Sequence, residues 1–136
     1  MTGDRGQVGI FVLGLALVCF AISGVTIDGT RAFLFRRTLQ NSADAAALAG
    51  AAELDRRSYY SSGGADVGVA TGPARTAAVR WLARRRLDAH AAISVDEAGV
   101  GVVLRGDVPT TFLGLVGVSS LPVSVQATAA PVADET

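Results

Sequence analysis

Lysine is absent from this chain, and cysteine, histidine, tryptophan and methionine occur once each. A single cysteine, Cys19, excludes an internal disulfide and a cysteine metal cluster. A single histidine, His90, has no nucleophile or acid at a spacing that would build a triad or a metal centre. The carboxylates are scattered, and Gly63-Gly64 lacks the lysine and the following helix start of a phosphate loop. Neither enzymatic activity nor a cofactor or metal is expected. Twelve acids offset twelve basic residues, all arginine, so the formal net charge is zero. That balance gives no bulk attraction to nucleic acid, and no arginine-aromatic interleaving suggests such a partner. The all-arginine usage reads as a coding bias.

What the chain has is apolar surface. Half of its 136 residues are hydrophobic and its mean hydropathy is +0.42. The twenty residues Val8–Ile27, VGIFVLGLALVCFAISGVTI, carry no charge. As a helix they reach about 30 Å, the thickness of a bilayer's hydrocarbon core. Asp4 and Arg5 stand just before the run, and Asp28 and Arg31 just after it. Membrane lipid is therefore the first partner expected, with 1–7 as a short tail and 8–27 as a transmembrane segment. Cys19 reads as a small apolar residue within it. A cleaved secretory signal is the alternative, since Ala21-Ile22-Ser23 is an acceptable cleavage site. The run outlasts most signal cores, which favours a retained anchor. By charge alone, Arg31, Arg36 and Arg37 place the carboxy-terminal part in the cytoplasm. About 110 residues remain, enough for one small domain.

Residues 28–57 predict a second helical stretch, free of proline and rich in Ala, Leu, Arg, Gln and Glu. Ala43, Ala47 and Ala51 form a small-residue series, with Ala46 and Gly50 alongside. Such a stripe lets two backbones approach closely. Two readings stay open, packing on the chain's own domain or pairing with another chain. On the second, Gln40, Ala43, Asp44, Ala47, Gly50 and Ala51 form the assembly surface, Gln40 and Asp44 being an i,i+4 pair. Residues 58–72 read as a flexible loop whose Tyr59 and Tyr60 are candidate partner contacts. From 73 to 131 a small α/β domain is expected. Pro73 opens a helix with Trp81 and Leu82 as core anchors. Arg84, Arg85 and Arg86, near its carboxy end, are either a dipole-matched solvated face or a site for acidic partners. Ala92–Asp96 and Val100–Arg105 form a hairpin around Glu97-Ala98-Gly99. Pro109–Gly117 is an apolar loop or short helix, and Phe112, Leu113, Leu115 and Val116 in it cap the core or dip toward the membrane. Pro122–Ala130 alternates as a half-buried strand. Residues 132–136 are an expected disordered tail.

Arg5-Gly6, the apolar run, Asp28-Gly29 and then Leu39-Gln40-Asn41-Ser42-Ala43-Asp44-Ala45-Ala46-Ala47-Leu48-Ala49-Gly50-Ala51 together resemble the amino-terminal region of TadG-like proteins. These are membrane-anchored, pilin-like components of tight-adherence (Flp) pilus assembly systems. The resemblance covers about residues 5–52. The elements read along the chain give an α+β fold: a long transmembrane helix continuing into an extended helix, then a small domain, pilin-like in outline, with one helix and an antiparallel sheet of about three strands. The resemblance also implies a cytoplasmic amino terminus, an extracytoplasmic domain at the cell membrane and other pilus-assembly proteins as partners, while self-association through the juxtamembrane helix is what the small-residue stripe would allow. The prepilin pattern of a glutamate fifth after the cleavage glycine is not met, because Gly6 would leave Phe11 in that place. The D-x-S-x-S metal spacing found in larger relatives is missing too.

Overall fold

The computed structural model describes residues 3–61, 71–96 and 98–130. Helix α1 spans Gly3–Ser61 without a break. No proline occurs before Pro73, so nothing in the backbone chemistry interrupts it. Its hydroxyl residues do not work against it either. Ser23, Thr26 and Thr30 each donate to the carbonyl four residues back, at 2.8 Å. Those bonds satisfy polar side chains inside an otherwise apolar stretch. The helix continues four residues beyond Arg57, where a loop was expected to begin, and α2 (Thr71–Arg85) starts two residues before Pro73. The remainder of the expected loop, 62–70, lies outside the described residues. In α2 the Thr76 hydroxyl donates to the Gly72 carbonyl at 2.8 Å. Arg86, in the left-handed region at φ 47°, terminates it.

Three strands follow: β1 (His90–Asp96), β2 (Gly99–Pro109) and β3 (Ser120–Ala129). They form one antiparallel sheet with β2 in the centre. In the β1–β2 hairpin Ile93 faces Val102 and Val95 faces Val100. The Asp96 side chain closes the turn, accepting from the N–H groups of Ala98 and Gly99 at 2.9 Å each. Glu97, expected in this turn, lies outside the described residues. The strands are longer than the β-prone runs suggest, because charged Arg105 and Asp107 sit at outward positions without breaking the alternation.

The contacts divide the chain into two compact units. One joins the chain up to Leu34 with Val108–Leu121, and the other joins Phe35–Asp107 with Pro122 onward. The second unit holds the core. Leu39, Ala43, Ala46, Ala47 and Ala51 of α1 are buried with Val100, Val102 and Leu104 of β2 and with Val125, Ala127 and Ala129 of β3. Ala74 and Ala78 complete it from α2. The alternation expected of the last strand is present, with Val125, Ala127 and Ala129 inward and Ser124, Gln126 and Thr128 outward. Close approach of backbones is the organising feature. A Cβ on Gly50 would lie 3.0 Å from both methyl carbons of Val100 and 3.2 Å from the Ala74 carbonyl oxygen.

Trp81 is not the buried anchor expected. Ala74 and Ala78 occupy the buried face of α2, whereas Trp81 and Leu82 pack half-buried at its border. The Arg85 guanidinium stacks over the indole at 4.7 Å from the ring centroid. With alanines setting the helix close to its neighbours, an indole has no room between them and stays at the rim.

Substitution of a buried alanine tests this packing. Ala47→Leu forces a branched side chain between α1 and the sheet and should lower stability by about 1–3 kcal/mol. Leu48→Ala, at an exposed position, should change it by less than about 0.5 kcal/mol. Urea unfolding of the full chain in detergent, read by Trp81 fluorescence, measures both.

Candidate functional site

The first unit is built on the apolar half of α1. Among the described residues this is the one helix long and apolar enough to cross a membrane, with a window of mean hydropathy 2.6. From Val8 to Ile27 its side chains are exposed all round except at Gly24. Its apolar residues therefore do not form the single buried stripe of an amphipathic surface helix.

At Gly24 the segment joining β2 to β3 lies against the helix. Phe112 occupies the space a side chain would take: a Cβ on Gly24 would be 2.6 Å from the Phe112 Cβ and 2.8 Å from its Cγ. One turn earlier, Phe20 meets Phe112 edge to face, with ring centroids 5.5 Å apart and planes at 69°. One turn later comes Asp28, only 1% exposed. Its Oδ1 accepts from the Thr111 N–H at 2.9 Å, and its Oδ2 accepts from the N–H groups of Phe112 and Leu113 at 2.8 Å each. Arg31 Nη1 donates to the Thr111 hydroxyl at 2.9 Å. Phe20, Gly24 and Asp28 follow one another at steps of four, so one face of the helix holds the whole segment.

The segment is organised within itself as well. The Thr110 N–H donates to the Ser119 carbonyl at 3.1 Å and its hydroxyl to the Val118 carbonyl, pinching the two ends together. Between them a 3-10 turn, Leu113–Val116, ends at Gly117 in the left-handed conformation, φ 93°. None of Phe112, Leu113, Leu115 and Val116 belongs to the core.

The residues singled out as an assembly surface lie elsewhere. Ala43, Ala47, Gly50 and Ala51 are buried under the chain's own sheet, so the stripe is already covered and is not a free surface for a second chain. Small side chains serve here to bring a sheet onto a helix. Gln40 donates from Nε2 to Asp44 Oδ1 at 3.0 Å and to the Gln126 carbonyl at 3.1 Å, tying α1 to β3 within the chain. Tyr59 and Tyr60 fall in the last turns of α1, and their side chains lie outside the described residues. Arg84, Arg85 and Arg86 are exposed at the end of α2. Arg86 and Arg75 border an open groove of about 360 Å³ floored by Val79, Leu82, Ile93 and Leu104.

In the sequence Asp28 stands only as the end of the apolar run, and its bonding role becomes visible in the fold. A signal was present: a carboxylate directly after a charge-free, membrane-length run, four residues beyond a glycine. Its partners lie more than eighty residues away, where no periodicity can point.

The hydrogen bonds from Leu113 and Thr111, then that from Phe112 and the nearby Arg31 charge, hold the Asp28 carboxyl below its ordinary value of 3.8, against the opposing effect of burial. A lowered pKa means stabilisation that is complete above the ordinary value and is lost as pH falls through the lowered one. Protection of the Thr111, Phe112 and Leu113 amides from hydrogen exchange should therefore stay level from pH 7 to about 5 and fall only below about 4. Asp28→Asn, which turns one acceptor oxygen into a donor, should remove that protection at every pH.

Residues 6–53, about a third of the chain, match the Tad family model, described as "Putative Flp pilus-assembly TadE/G-like". No curated protein and no solved structure matches the chain. The match ends within α1 and takes in the apolar run, Gly24, Asp28 and the alanine stripe. The resemblance read from the sequence is matched over that segment: residues 6–53 are similar to the TadE/G-like Flp pilus-assembly model.

Proposed function

We propose that this chain is a membrane-anchored structural or assembly component of a Flp/Tad-type pilus or a related secretion apparatus, acting through helix packing and protein contacts. The observation that carries the reading is the coincidence of the TadE/G-like match with a helix whose apolar half is exposed on nearly every side, Gly24 apart. In this reading Val8–Ile27 is retained in the cell membrane, the amino terminus is cytoplasmic and the sheet-bearing part is outside. Retention is supported by Phe20, which a cut after Ser23 would separate from Phe112. With the alanine stripe covered, contacts to other pilus-assembly proteins fall to outward residues such as Leu48 and Arg84–Arg86, and to Tyr59 and Tyr60.

A second reading, a cytoplasmic domain behind the same anchor, is favoured by Arg31, Arg36 and Arg37 following the apolar run. Labelling decides between the two. In a Cys19→Ser background, Arg80→Cys, exposed on α2, should react with a membrane-impermeant maleimide in spheroplasts. Reaction only after lysis would establish the cytoplasmic domain. Alkaline carbonate should leave the full-length chain in the pellet, and a soluble fragment beginning near Gly24 would overturn the anchor. Cells lacking the chain should lose their Flp-type fibres and regain them on complementation.

A further inference from the structure

We propose that the β2–β3 segment, Thr110–Ser119, is a second membrane-contacting element: an apolar wedge fixed to α1 and immersed in lipid through Leu115 and Val116. The inference rests on the reading of Val8–Ile27 as a membrane span and adds to it a site that the span alone does not imply.

Position comes first. Phe112 sits on Gly24 and Phe20, three and seven residues inside the end of the apolar run at Ile27. At 1.5 Å per residue those positions are roughly 5 and 10 Å below the end of the run. Apolar elements that lie in a membrane interface are buried to the same depth, about 5–10 Å. Whatever surrounds the helix at Phe20 and Gly24 therefore surrounds the segment docked there.

Composition and exposure agree with that position. From Val108 to Ala130 the sequence contains no Asp, Glu, Lys or Arg. Leu115 and Val116, at the tip of the segment, are 77% and 76% exposed. In water two neighbouring side chains of that kind would be a liability; in acyl chains they are buried.

The backbone of the segment is also compatible with that depth. A non-helical segment can enter lipid only if its polar groups find partners within the protein. Here the N–H groups of Leu115, Gly117 and Val118 donate to carbonyls of the segment itself. Those of Thr111, Phe112 and Leu113 donate to Asp28. The Asp28 carboxylate thus does for this segment what a preceding turn does for the interior of a helix. It permits an irregular stretch of backbone to lie at membrane depth.

Purified full-length chain in phosphatidylcholine vesicles tests the inference without any other protein. In the Cys19→Ser background, an environment-sensitive fluorophore is placed at Leu115→Cys or, as the reference for the span, at Leu13→Cys. Both probes should be shifted to the blue, quenched by spin-labelled acyl chains and shielded from aqueous iodide. A Leu13 probe in lipid with a Leu115 probe open to iodide overturns the wedge and leaves the anchor standing. Both probes open to iodide overturn the anchor and the wedge with it. Asp28→Asn should move the Leu115 probe toward water while the Leu13 probe stays in place. If the Leu115 probe is aqueous in vesicles but becomes shielded in cells, the segment meets a protein partner and the lipid assignment fails.

Discussion

The two oxygens of Asp28 accept three consecutive main-chain N–H bonds from the segment that joins β2 to β3. Three successive N–H groups pointing one way need an acceptor, and the segment's own turn cannot supply it, because its first N–H groups have no preceding carbonyls in register. A neutral amide would offer one acceptor oxygen where two are used. A carboxylate one residue past the apolar run satisfies the whole set, and Arg31 nearby secures the Thr111 hydroxyl in the same patch. Gly24, one turn before, is the steric counterpart: any side chain there would displace Phe112. Bonding and shape are thus supplied by two residues four positions apart on one helix face.

Along α1 the same backbone geometry meets two different demands. From Val8 to Ile27 bulky apolar side chains point in every direction. From Leu39 onward one face turns to alanine and glycine, and there the chain's own strands are laid on the helix. An alanine gains little from burial by itself, since its apolar area is small. Its contribution is to bring larger groups together: Val100, Val102 and Leu104 reach the helix because nothing bulky holds them off. Ser42 fits the same face because its hydroxyl donates to the Thr38 carbonyl at 2.7 Å and leaves no unsatisfied polar atom.

Much of this was readable in the order of residues. The charge-free run marks a helix of membrane length, the alternation after Pro122 marks the last strand and its inward face, and the hairpin before it follows from two β-prone runs around a turn. These are local properties, carried by spacing. What spacing cannot carry is the identity of the surface that covers an apolar face. The stripe at Ala43, Ala47 and Ala51 fits another chain or its own sheet equally well by pattern, and the strand valines opposite decide for the sheet. Trp81 went astray for a related reason: its size suggests a core anchor, but the gap between α2 and its neighbours is set by Ala74 and Ala78. The Asp28 bonds were illegible because their partners lie more than eighty residues further along the chain.

Burial of the alanine stripe changes how a defect in assembly has to be interpreted. Small-residue stripes on helices near membranes invite the explanation that helices pair along them, and loss of assembly after enlarging one residue would ordinarily support it. Here the same substitution drives a branched side chain into a face where a Cβ on Gly50 would already crowd the Val100 methyl groups. The immediate effect falls on the fold, and any loss of partner binding follows from it. Surfaces that act on a partner directly must lie where a change leaves the core untouched, as at exposed Leu48 or the arginines ending α2. A substitution there that abolishes assembly without moving the unfolding transition identifies a contact; one in the stripe identifies only the packing that every contact presupposes.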